Sequence, residues 1–219
     1  MRAATLVWAL LLTLTTICSG AEACSVRPSY RVPTTLQLVE QADAVVLARV
    51  VDGGPSPFEP FARMKGRRAR LVPFATLKGR YSGQRVIFNV AALELPGAGL
   101  RATASDPRNL VDANPDAFSG SCNRTVFRRN MIVVAFLKKD GMSFVPSAPP
   151  FSRALEDVPT ATALWVKAVR MYAAIAAKPK SSRRDEMRRQ RDALRFDLND
   201  PDARLLALEL DRALQASKQ

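Results

Sequence analysis

The chain has 219 residues and a formal net charge of +13, with 33 Lys and Arg against 20 Asp and Glu. It contains no histidine, which removes the commonest general base and metal ligand, and with them any Ser-His-Asp or Cys-His pair and any HExxH zinc site. No GxGxxG or phosphate-binding glycine loop occurs, and no pair of carboxylates is placed for acid–base work. The sequence therefore predicts a non-catalytic protein with no cofactor and no metal of its own.

The N-terminus reads as an export signal. Arg2 precedes an apolar run from Ala3 to Ile17, and the run closes on Ala21-Glu22-Ala23, a small-x-small cleavage site. Residues 1–23 are predicted to be removed, so that the mature protein begins at Cys24 in a secreted or periplasmic setting. An uncleaved anchor and a lipoprotein acylated at Cys24 are the rival readings. The apolar run is short for a spanning helix, and Ala21-Glu22 is a poor lipobox. Cleavage leaves Cys24 and Cys122, an even number in an oxidising compartment, which predicts one disulfide. It would close a loop of about 100 residues, worth about 4–5 kcal/mol in the chain-entropy picture.

Residues 24–33 carry two prolines and should be extended, with Thr34 or Thr35 capping a short helix through Leu36, Leu38, Val39 and Ala42. The β-branched run Ala44–Val51 predicts a buried strand ended by Gly53-Gly54-Pro55. Arg67–Leu77 is a second strand, with a bulge or edge at Pro73, and Arg85–Ala91 a third. Leu93–Ser121 is long and rich in Gly, Pro, Asp and Asn, hence a functional or a mobile loop. Met131–Leu137 is a fourth strand, Lys138-Lys139-Asp140-Gly141 a hairpin turn, and Met142–Val145 a fifth strand. Five strands with one early helix fit a mainly β fold, a small Greek-key barrel of the OB type.

Beyond Pro159 the pattern turns helical. Thr160 is placed to cap a helix carrying Ala161, Leu164, Trp165, Ala168, Tyr172, Ile175 and Ala176 on one face. Lys178–Ser182 breaks it. Arg183–Leu198 is a charged helix with a thin stripe of Met187, Leu194 and Leu198. Asn199 or Asp200, with Pro201 as first helical residue, starts a last helix through Leu206, Leu210 and Leu214. The organisation expected is a signal (1–23), an OB-like domain (24–158) and a basic helical extension (159–219).

Taken in order, these residues resemble the netrin-like module of the tissue inhibitors of metalloproteinases and its bacterial relatives. The points of resemblance are Cys24-Ser25-Val26-Arg27-Pro28 directly after the cleavage site, the strand Asp43–Val51, Leu77-Lys78-Gly79 at the end of the second strand, Cys122 ahead of Met131–Leu137, and the proline-containing stretch Ser147–Val158. The resemblance covers residues 24–158. It implies a Cys24–Cys122 bridge and an inhibitory ridge of Cys24, Ser25 and Val26. In that mode the free amine and carbonyl of Cys24 would chelate a partner protease's zinc, the amine having an ordinary pKa of about 8, and Ser25 would enter its specificity pocket. Two departures weigh against full inhibitory activity. Val26 replaces the family's second cysteine, whose bridging partner is also missing from Phe144–Pro150. A basic helical tail replaces the family's cysteine-rich second domain.

Two partner classes follow. One is a protein, of the zinc-metalloprotease type. The other is an anionic envelope polymer, met by Arg63, Lys65, Arg67, Arg68 and Arg70 together with Arg183, Arg184, Arg188, Arg189, Arg191 and Arg195. Asp185, Glu186 and Asp192 interleave with the second group at helical pair spacing, which favours plain surface ion pairs there. Nucleic acid is disfavoured, because such binding uses aromatic platforms and Phe74, Tyr81 and Phe88 read as core. Asn123-Arg124-Thr125 matches a glycosylation acceptor by chance in this context.

Overall fold

The computed structural model describes residues 26–55, 66–81, 86–97, 99–119 and 121–216. The predicted signal, Cys24 and Ser25, and Arg63 and Lys65 lie outside them. Among the described residues the fold is mixed α/β: a curled sheet of seven strands, with four α-helices. Helix α1 is Thr35–Gln41. The strands are β1 Ala44–Pro55, β2 Arg67–Gly79, β3 Val86–Leu93, β4 Val126–Phe127, β5 Ile132–Asp140, β6 Ser143–Pro146 and β7 Leu155–Val158. Helices α2 Leu164–Ala176, α3 Arg183–Phe196 and α4 Ala203–Ala216 follow.

The strand order is β4-β3-β2-β1-β5-β6, with β7 also paired to β5. Five strands were predicted and seven are present: β4 and β7 are additional, and both are short. β3 and β6 stand four places apart, about 19 Å in a flat sheet, yet they touch. The ring of Tyr81, just past β2, lies 5.2 Å from that of Phe144 on β6. The sheet is therefore rolled into a half-barrel.

Two features of the sequence produce the roll. The β1–β2 register slips between Val45 and Val46, between Leu47 and Ala48, and between Asp52 and Pro55, and each slip bends and twists the ribbon. The concave core also includes five alanines, Ala44, Ala48, Ala69, Ala91 and Ala135, among larger groups such as Leu71, Phe127 and Leu137, and the alanines let the backbones close in where they lie. The convex face carries larger groups, Val45, Leu47, Val134 and Phe136, packed beneath the helices. β1 and β5 are thus buried on both faces, the reason each reads as an unbroken apolar run.

Thr34 caps α1 in a reciprocal capping box: its Oγ1 accepts from Gln37 N–H at 3.3 Å, and Gln37 Oε1 accepts from Thr34 N–H at 2.9 Å. Thr35, the alternative cap, is buried and donates instead to Glu209 Oε1 at 3.3 Å. β1 runs through Gly53-Gly54 to Pro55 rather than ending before them. The hairpin turn narrows to Gly141-Met142, because Lys138, Lys139 and Asp140 pair with Val145, Phe144 and Ser143.

The helices of the C-terminal part share the convex-side core. Leu164, Trp165, Val169, Tyr172 and Ile175 of α2, Met187 of α3 and Leu206, Leu210 and Leu214 of α4 belong to one buried cluster with Val45 and Phe136. Three local expectations are corrected. α2 starts at Leu164, since Thr160 Oγ1 is taken up by Thr162 N–H in a turn. α3 ends at Phe196, leaving Leu198 outside it and 94 % exposed. α4 starts at Ala203, and Pro201 sits in the turn before it. Lys167 holds that turn against α2 through Asp200 at 2.6 Å and Asp202 at 2.8 Å.

Candidate functional site

Three irregular segments meet at one rim of the half-barrel. The N-terminal segment turns at Arg27–Tyr30 (Tyr30 N–H to Arg27 carbonyl, 2.8 Å), and the Tyr30 hydroxyl then donates to the Pro150 carbonyl at 2.8 Å. Phe151 N–H donates to the Cys122 carbonyl at 2.7 Å. Phe151 also stacks on Phe118, centroids 5.4 Å apart and planes 15° apart. Cys122 and Phe151 both adopt left-handed φ, 58° and 57°, conformations a β-carbon disfavours and the surrounding contacts must hold. Cys122 is the one cysteine among the described residues, and the predicted bridge to Cys24 falls outside them. Of the predicted ridge Cys24-Ser25-Val26, only Val26 is described, and it is half-buried.

Behind this rim the long segment between β3 and β4 is fastened by buried polar groups. Glu156 of β7, 2 % exposed, accepts from Asn114 N–H at 2.8 Å and from the Ser105 hydroxyl. Asn114 Nδ2 donates to the Thr103 carbonyl at 2.9 Å and to Ser105 Oγ at 3.0 Å. Arg124 pairs with Asp157 at 2.5 Å, donates to the Thr103 carbonyl at 2.8 Å and lies over the Phe127 ring. Arg153 donates to the Asn109 carbonyl at 2.5 Å, stands 3.8 Å from Glu156 and covers the Trp165 ring at 4.1 Å. Burial pulls the Arg153 guanidinium below its ordinary range, and Glu156 opposes that pull. Of the functional and mobile readings of Leu93–Ser121, the network counts against the mobile one, although within it the Arg153 Nε–H is buried without an acceptor among the described residues; buried polar groups cost least when each is partnered.

The arginines singled out from the sequence fall into two unlike groups. Those of the tail are partnered. Arg183 pairs with Glu40, Arg188 with Asp185 at 3.0 Å and Arg189 with Glu186 at 2.6 Å. Arg191 reaches Asp192 at 2.7 Å and Asp211 at 3.3 Å, Arg195 reaches Asp211 at 2.8 Å, and Arg184 is also engaged. On β2, Arg67 pairs with Asp52 at 2.5 Å, and Arg129 joins the same carboxylate at 2.8 Å. Burial acts to raise Asp52, but hydrogen bonds from Arg67 and Gly54 N–H, with the charges of Arg67 and Arg129, bring it below the ordinary carboxylate range. Arg68 and Arg70 have no acceptor or carboxylate among the described residues.

Sequence reasoning missed Arg49, the single charged residue in the run Ala44–Val51 and the one exposed position within it. It also passed over Glu156 and Asp157, whose acidity reads as surface. Phe74 is 50 % exposed rather than core, and Tyr81 packs on Phe144. Among the described residues no group of three or more His, Cys, Asp or Glu could hold a metal ion, and no helix is long and apolar enough to cross a membrane. No family model, no curated protein and no solved structure matches the chain.

Proposed function

We propose that this protein is an exported, non-catalytic binding module whose working surface is the rim built from the N-terminal segment, the Cys122 turn and the Pro149–Arg153 loop. The partner we propose is a metalloprotease, engaged in the manner of the tissue inhibitors of metalloproteinases. The observation that carries the reading is the pair of contacts Tyr30–Pro150 and Cys122–Phe151. Together they bring the segment that follows Cys24 alongside the segment that bears Cys122.

Supporting features are of three kinds. The buried network behind the rim pre-orders a long loop, which lowers the ordering cost of association. The acids of that network, Glu156 and Asp157, are committed to Asn114, Ser105 and Arg124 and are not free for proton transfer. The order of the sheet, a β1–β2–β3 meander with β5 returning to β1, is compatible with an OB-type Greek key, the finer fold we propose. On this reading the Cys24 amine and carbonyl bind the zinc of the partner, Ser25 enters its specificity pocket, and a Cys24–Cys122 bridge stiffens the edge.

One added alanine before Cys24 tests the proposal. It moves the amine by about 3.5 Å and presents an amide nitrogen in its place, leaving the sheet and the bridge intact. Inhibition of metalloproteases from the protein's own environment should be lost while the melting temperature holds. A native protein that inhibits none of them, or an extended form that inhibits equally well, overturns the reading.

A further inference from the structure

β1 and β2 carry a second surface that shares no residue with the rim. The helix layer on the convex face covers β1 only as far as Leu47. Beyond it the outward positions are Arg49, Val51 and Gly53 on β1 and Arg68, Arg70 and Val72 on β2, with Arg49 opposite Val72 and Val51 opposite Arg70. The alternate residues, Ala48, Val50, Ala69 and Leu71, point into the concave core. Three guanidinium groups therefore share one face.

Their spacing is regular. Arg68 and Arg70, two residues apart on a strand, are separated by about 6.8 Å. Arg49 and Arg70 are diagonal neighbours across the pair, about 7–8 Å apart. Gly53 makes the arrangement possible, for a β-carbon there would stand 3.2 Å from Arg68 Cβ and 3.3 Å from Arg70 Cβ, and 3.0 Å from the Arg68 carbonyl oxygen.

Among the described residues no carboxylate answers these charges. The nearest acid along β1 is Asp52, already held by Arg67 and Arg129. Arg49 makes one long contact, to the Asn130 carbonyl at 3.5 Å. The Nε–H groups of Arg68 and Arg70 are shielded from water and have no acceptor among the described residues, an arrangement that costs the desolvation of each donor. The arginines of α3, by contrast, have partners, Arg183 on α1 and Arg188, Arg189, Arg191 and Arg195 on their own helix or on α4.

We propose that Arg49, Arg68 and Arg70 form a binding site for successive phosphate groups of a linear anionic polymer. A guanidinium offers Nε–H and Nη–H as a fork matched to a tetrahedral oxyanion, and drawing each fork toward a phosphate gives its orphaned Nε–H a partner. A row of charges along a strand suits a chain of regularly spaced anions. Among the described residues the face offers no row of aromatic rings on which bases would stack, which favours a polymer without bases. The site is independent of the rim, so either assignment can fail alone.

Binding of labelled inorganic polyphosphate to the purified protein tests the site. Arg68→Gln/Arg70→Gln should weaken binding about tenfold and lower the slope of log affinity against log salt by about two, roughly one for each phosphate no longer neutralised. Arg188→Gln/Arg189→Gln removes the same charge and should cost less than about twofold, since those arginines are neutralised by neighbours. Melting curves verify that each variant is folded, and Arg49→Gln, at an exposed position, supplies the readout if the double variant is not. Equal losses in both double variants would reduce the effect to net charge and overturn the site. So would absence of polyphosphate binding, preference for phosphatidylglycerol vesicles with the same arginine dependence, or much tighter binding of single-stranded DNA.

Discussion

The backbone N–H of Asn114 donates to Glu156 Oε1 at 2.8 Å, with both residues 2 % exposed. This one bond ties the middle of the long β3–β4 segment to β7. Glu156→Gln should keep the fold yet release the segment, because Gln presents an amide where Ser105 and Arg153 expect a carboxylate. Hydrogen exchange at residues 103–114 should quicken well before exchange in β1. Unchanged exchange there would show that the loop is held by something else.

The Arg124–Asp157 pair should matter more for global stability. The Arg124 side chain is 2 % exposed, so Asp157→Asn strands a buried cation. A loss of about 3 kcal/mol in urea unfolding is expected. Removing both partners, with Arg124→Leu and Asp157→Leu together, should cost less than the sum of the single changes. Strict additivity would argue against coupling.

Gly79 predicts a sharp sensitivity. Its φ is +75°, and a β-carbon would lie 2.2 Å from the Asp43 carbonyl oxygen. Gly79→Ala should therefore destabilise by more than about 2 kcal/mol, combining left-handed strain with a backbone clash. Neighbouring Lys78 donates to the carbonyls of Val39 and Ala42 at 2.6 and 2.5 Å, and burial lowers its pKa. Lys78→Met should lower the melting temperature by releasing the end of α1. A Gly79→Ala protein as stable as the native one would contradict this account of the β1–β2 junction.

Glu209 sets a pH dependence. It accepts from the Tyr172 hydroxyl at 3.2 Å and from Thr35, and lies 3.2 Å from Arg212. Burial raises its pKa above the ordinary 4.5, against the opposing pull of Arg212, Tyr172, Thr35 and Arg153. A carboxyl with a raised folded pKa holds its proton more tightly when folded. Its contribution is therefore greatest below the unfolded value and declines as pH rises through the folded one. Glu209→Gln should flatten that decline and leave the protein relatively more stable at neutral pH. A steeper fall in the variant would reverse the assignment.

The bridge is testable by mass. We expect the exported protein to start at Cys24, linked to Cys122, with no acyl group. Cys122→Ser should cost about 4–5 kcal/mol if a loop of that length is closed. A retained signal, an acylated N-terminus or an unaltered melting curve would each count against the proposed rim.

How much could be read from the sequence depended on whether burial followed polarity. β1 and β5 were visible because both faces are apolar. β7 was not: Leu155-Glu156-Asp157-Val158 looks like a polar turn, and only the spatial arrival of Arg124, Arg153 and Asn114 makes it a buried strand. β4, two residues long, offers no period at all. In the tail, Asp185, Glu186 and Asp192 beside the arginines foretold the ion pairs correctly, since helical spacing is local. Arg68 and Arg70 were grouped from the sequence by proximity along the chain, but Arg49 could not be joined to them, because the β1–β2 register that gathers the three depends on slips in the ladder.

The strands at the margins of the sheet are all brief. β4 has two residues, β6 and β7 four each, whereas β1 and β2 have twelve and thirteen. β6 also ends on Pro146, which has no N–H to offer. A second chain seeking to extend the ladder would find only a few peptide groups in reach before the template runs out. At those margins self-association by strand addition, the usual hazard of a β-rich chain at high local concentration, finds little template, whereas the stretch Val72–Gly79 of β2, beyond its pairing with β3, is joined to β1 alone among the described residues.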